Sequence, residues 1–201
     1  MLGLPKATEL NKQLPKNTIY AKFQMNTAAK ERIDRDISRI YIVNEVSAAK
    51  VNLSEGEQVK SFFVMSVLLK RKDFDEKNVI TLSKLIPQNM VMVLEYEGEV
   101  KLATYRTKLL QTAWLQKDNV SLEIKGLDMD SVWENIIVQI GGLNVEQGNT
   151  IDEQISRDER RNKLQKEIDR LDKLARAEKQ PKKKFELVAQ IKQLTRGLAE
   201  L

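Results

Sequence analysis

Few residues in this chain combine a type and a spacing that suggest chemistry. Glu99-Val100-Lys101 is an E-x-K triplet on a segment that reads as a strand. Nucleases of the restriction-enzyme kind use such a pair, with an upstream acid, to hold Mg²⁺ and orient water. Asp73 and Glu95 are the upstream acids on offer, but neither has a spacing that requires the role. Glu99 also adjoins a Glu97-Gly98 turn, where exposed Glu and Lys are routine. The second constellation is basic. Arg176, Lys179, Lys182, Lys183 and Lys184 cluster around Pro181, opposed only by Glu178. Such a cluster presses on phosphates through charge, with an affinity that falls steeply as salt rises; the plainer reading is a lysine-rich loop tip that keeps the chain soluble.

The absences narrow the chemistry further. The 201 residues include no Cys and no His. Thiolate nucleophiles, disulfides, zinc sites of the Cys/His type and histidine acid–base catalysis are excluded. Carboxylates, lysines, hydroxyls or a hard metal held by oxygen are what remains. No P-loop, Gly-rich dinucleotide turn or calcium loop is present. Trp114 and Trp133 read as core or edge residues, and at 5% the aromatics are too sparse for a single-stranded nucleic-acid sheet surface. The expectation is a protein without a metal or cofactor.

Around these residues the apolar pattern divides the chain. Leu164, Ile168, Leu171 and Ala175 fall at spacings of four, three and four, and after Pro181 the pattern resumes as Leu187, Ile191, Leu194, Leu198 and Leu201. That is a coiled-coil seam written twice. Proline opens a helix but does not continue one, so two antiparallel helices are predicted. The stripe serves first as packing within this hairpin. A two-helix hairpin has little core, however, and Leu187, Ile191, Leu194 and Leu198 are the candidate contacts for a further helix.

Upstream, Leu4-Pro5-Lys6-Ala7-Thr8 and Leu14-Pro15-Lys16-Asn17-Thr18 make a near-repeat that reads as an ordered arm. Lys6, Lys12, Lys16 and Lys22 give it a basic face, and Lys6 and Lys16 join the candidate phosphate contacts. Asn26-Thr27 caps a helix that flows into a strand over 40–46, and 47–58 reads as a loop. The run Phe62 to Leu69 predicts a strand covered on both faces. Asp73 or Asp75 caps a helix ended by Pro87. Met90 to Tyr96 and Val100 to Arg106 form a hairpin, and the alternation of Val120, Leu122 and Ile124 predicts a strand over 119–125. Ser131 and Glu134 suggest a capping box for a helix stopped by Gly141-Gly142.

The predicted fold is therefore α+β: a mixed or antiparallel sheet with flanking helices over 1–142, a linker over 143–156, and a C-terminal antiparallel helical hairpin over 157–201. At 41% apolar and 31% charged, with a net charge of +5, the composition allows a polyanionic partner without demanding one. No membrane span or apolar signal core appears, and the expected location is cytoplasmic.

The chain resembles the bacterial domain-of-unknown-function 4391 family over nearly its full length. The resemblance rests on the two Leu-Pro-Lys segments and on Ser83-Lys84-Leu85-Ile86-Pro87 leading into Met92-Val93-Leu94. It rests also on Leu127-Asp128 with Val132-Trp133-Glu134-Asn135-Ile136, and on Ala177-Glu178-Lys179-Gln180-Pro181. It implies an accessory protein encoded beside helicases and DNA methyltransferases of restriction or phage-defence type, and it carries over no catalytic residue. The expected function is a non-enzymatic subunit that docks on such a helicase or methyltransferase, with the basic tip reaching DNA. A metal-dependent nuclease using Glu99 and Lys101, and a homo-oligomer built from two hairpins, are the alternatives.

Overall fold

A computed structural model describes residues 2–146 and 148–199. They form two compact units, 1–143 and 144–201. The first begins with a 3-10 turn and β1 (Glu9–Gln13), followed by α1 (Lys16–Lys22), α2 (Thr27–Asp36), β2 (Ile37–Ser47), the short α3 (Ala48–Val51) and β3 (Ser61–Leu69). Next come α4 (Glu76–Leu85), β4 (Met90–Tyr96), β5 (Glu99–Tyr105), β6 (Leu109–Gln111), β7 (Leu115–Gln116) and α5 (Met129–Gly141). The strands make one sheet in the order β1-β2-β3-β4-β5-β6, with β7 also on β5. All pairings are antiparallel except β3–β4, which α4 joins as a βαβ unit.

The apolar run of β3 lies mid-sheet because both of its faces are covered. Met65, Val67 and Leu69 enter a core with Ile19 of α1, Ile33 of α2 and Val79 and Leu82 of α4. Phe62 packs from the other face on Trp133 of α5, ring centroids 5.2 Å apart. Val132, Trp133, Ile136, Ile137 and Ile140 are all buried on α5, each worth about 1.5–3 kcal/mol of apolar burial.

Local chemistry sets the element ends. Asn26 and Asp75 cap α2 and α4 through their side chains. Glu97 and Gly98 both take positive φ, 45° and 85°, as a two-residue type I′ hairpin between β4 and β5 requires.

Three expectations for this unit are corrected, and a fourth, the ordered N-terminal arm, is made specific. The capping box of α5 is Asp128 with Ser131, not Ser131 with Glu134. The alternating stretch 119–125 is not a ladder strand. Val120 and Leu122 are buried, but the backbone of Glu123 exchanges both its hydrogen bonds with the Gln139 side chain, so an amide takes the place of a neighbouring strand. The N-terminal arm is an edge strand, β1, and a bulge at Asn11 (φ 48°) with Lys12 blunts that edge. Residues 48–51, expected in a loop, make one helical turn.

The second unit holds α6 (Ile151–Ala177) and α7 (Pro181–Ala199), packed together. α6 starts within the expected linker because Thr150 and Glu153 form a reciprocal capping box. Arg157 pairs with Glu146, and Gln154 accepts from Asn149, which ties the entry segment to the first turns. None of the described helices is long and apolar enough to cross a membrane.

Candidate interaction surface

The hairpin is narrow, and that decides what it exposes. Leu171 and Ala175 are buried in the seam, and Leu164 and Ile168 are half-buried. On α7 no described residue is fully buried: Leu187, Ile191, Leu194 and Leu198 are all intermediate. Two helices crossing along one line cover only part of each stripe. Leu174 and Val188 are left 45% and 37% exposed. Near the turn, Leu174, Ala177 and Leu187 floor an open groove rimmed by Lys183, Glu186 and Gln190. Leu201 of the expected stripe lies outside the described residues.

The basic tip divides into tied and untied charges. Arg176 reaches back to Asp172 at 2.7 Å, one turn away. Among the described residues no carboxylate pairs with Lys179, Lys182, Lys183 or Lys184, nor with Lys192 or Arg196 further along α7. Glu178 accepts from the Gln180 amide at 2.8 Å, in the turn just before α7. The sequence reading missed Lys192 and Arg196 because they lie beyond the tip; they share an outer face with Phe185, which is 76% exposed. Their helical spacing was the available signal.

In the first unit most of the candidate residues are spent on the fold. Lys16 bonds the Asp34 carboxylate and, at 2.9 Å, the Ile37 carbonyl, which the Tyr20 hydroxyl supplements at Asp34 with 2.9 Å. Lys6 sits exposed on the 3-10 turn before β1. Glu99 pairs with Lys72, and the ammonium groups of Lys72 and Lys101 both lie 5.4 Å from the Trp114 ring centre. Glu95 lies on the other strand of that hairpin, accepting from Ser66 at 2.6 Å and pairing with Lys117 at 2.5 Å. Among the described residues no three acidic side chains converge as a metal site would need.

Two further acids are perturbed for structural reasons. Asp36 has a fully buried side chain at the end of α2. Arg71 reaches Oδ1 through Nε and Nη2, both at 2.7 Å, and the Asp75 amide and Asn78 Nδ2 donate to Oδ2 at 2.8 and 2.7 Å. Burial pushes this carboxyl up, but the Asp75 amide, Arg71 and Arg35 outweigh it and hold it below the usual carboxylate range. Asp130 is lowered chiefly by the Val59 amide, helped by the amides of Gln58 and Glu57, so the loop 56–59 closes over the start of α5. Both carboxylates are fully engaged.

A partly open apolar cavity of about 230 Å³ lies beside α1, lined by Leu14, Ile19, Phe23, Ile42, Met65 and Ile86. It brings no acid–base pair to a ligand.

No curated protein and no solved structure matches the chain. Residues 2–198 match the family described as Domain of unknown function (DUF4391). With so nearly complete a match, the chain belongs to the DUF4391 family.

Proposed function

We propose that this protein is a non-enzymatic accessory subunit that docks on a larger partner through the apolar seam of its α6–α7 hairpin. The observation that carries this reading is the seam itself: a long α7 with an apolar stripe and no buried residue. A third helix laid on the stripe would complete the core that two helices lack. The partner class is a helicase or DNA methyltransferase of a restriction-modification or phage-defence assembly, supported by the setting that the family resemblance implies.

The nuclease reading is weaker. Glu99 is engaged by Lys72, and Lys101 rests on Trp114.

The test is capture from the native host with a tagged full chain, compared with Leu174→Glu/Val188→Glu. Both positions are exposed, so the fold should tolerate the change. Recovery of a helicase or methyltransferase by the unaltered chain alone supports the reading. Equal recovery by both chains moves the docking surface away from the seam, and recovery of neither enzyme refutes the partner class.

A further inference from the structure

The seam uses one face of α7 and leaves the opposite face unexplained. Phe185, Ala189, Lys192 and Arg196 follow one another at steps of four, three and four, so they lie along one line of the helix. Lys182 stands one turn before Phe185, and Lys184 adjoins it. The line from Lys182 to Arg196 is about 21 Å long at the helical rise. Glu186 is the sole acid of α7, and among the described residues no carboxylate pairs with these cations. Phe185 is the most exposed aromatic residue of those described, at 76%.

We infer that this outer face of α7 is a contact for single-stranded nucleic acid, in which Phe185 stacks on a base while Lys182, Lys184, Lys192 and Arg196 neutralise phosphates. Each element of the face has a matching part in that ligand. The cations need a line of negative charge spaced along some 20 Å, which a backbone supplies. The ring needs an apolar plane amid those charges, and an unpaired base offers one whatever its sequence. A duplex satisfies the lysines but hides its base faces in the stack, which leaves the ring against sugar and water. An acidic protein surface likewise satisfies the charges and gives the ring no particular partner. Leu187, Ile191, Leu194 and Leu198 face the other way, so this contact uses residues of α7 that the inner stripe does not.

The experiment is fluorescence anisotropy of the full chain with a labelled oligothymidine of about 20 nucleotides, and with its duplex. The single strand is expected to bind more tightly than the duplex. Its log affinity should fall with log salt at a slope of about −3, as four phosphate contacts on a single strand imply. Phe185→Ala should weaken single-strand binding roughly five- to a hundred-fold through lost stacking, and Phe185→Trp should restore it. Lys182→Glu/Lys192→Glu/Arg196→Glu should abolish it. All these positions are exposed, and an unchanged circular dichroism spectrum checks that α7 persists. Duplex binding as tight as single-strand binding, or indifference to Phe185→Ala, overturns the proposal. So does the absence of binding at low salt, or its survival in the triple charge reversal.

Discussion

Asp36→Ala should be among the most damaging single substitutions in residues 1–143, and the geometry says by how much. The carboxylate joins α2 to the loop before α4 through Arg71, the Asp75 amide and Asn78. Removing it strands two donors. Asn78 is buried and has only the Arg32 carbonyl left, at 3.1 Å, while the Asp75 amide is only partly buried. Arg71 is 43% exposed and rehydrates, so it adds little. The expected loss is about 2–4 kcal/mol, from two donors left unsatisfied at about 1–3 kcal/mol each, the partly buried one counting for less. At roughly 2–4 °C per kcal/mol for a chain of this size, Tm falls by about 10 °C. Tryptophan fluorescence is the appropriate probe, because Trp114 and Trp133 both lie in the first unit. The pH dependence has a fixed sign. The folded carboxyl is lowered, so its contribution is complete above the unfolded value of about 3.9 and disappears as pH falls through the folded one. The gap between variant and parent should therefore narrow in acid. A Tm change near zero, or a gap that stays constant down to strongly acid pH, would refute the reasoning.

Three other outcomes are expected. Gly56→Ala places a Cβ 2.3 Å from Asp130 Oδ1 and 2.7 Å from the Asp130 amide, so it should cost about 1–3 kcal/mol by overpacking, read in a urea melt. Thr150→Ala removes one half of the α6 capping box, at about 1 kcal/mol, and faster hydrogen exchange should be confined to the first turns from Ile151. Purified protein should not cleave DNA with Mg²⁺ or Mn²⁺; cleavage that vanishes in Glu99→Ala would establish the nuclease alternative instead.

Much of the fold was legible wherever one local rule acted alone. The unbroken run through β3, the Glu97-Gly98 turn and the Pro181 break each depend on a few neighbouring residues, and each element stands where its pattern places it. Two of the misses came from partners remote in sequence. Glu123 meets Gln139 rather than a strand, and β1 pairs with residues of β2 some thirty positions away. Nothing in an alternating pattern announces that a side-chain amide will take the backbone's bonds. The early start of α6 was readable, since Thr150-Ile151-Asp152-Glu153 has capping-box spacing, but the polar composition around it suggested a linker. At the candidate surface, spacing identified the seam and the tip. It did not separate Arg176, held by Asp172, from the untied lysines, nor Lys16, which is bound within the fold.

The most direct test of the docking account is the light-scattering mass of the purified full chain, alone and with the captured partner. The account predicts one chain alone and a single copy in the complex, because the α7 stripe is kept for a foreign helix. A dimer that Leu174→Glu/Val188→Glu converts to one chain would contradict it, by showing that a second hairpin already covers the seam.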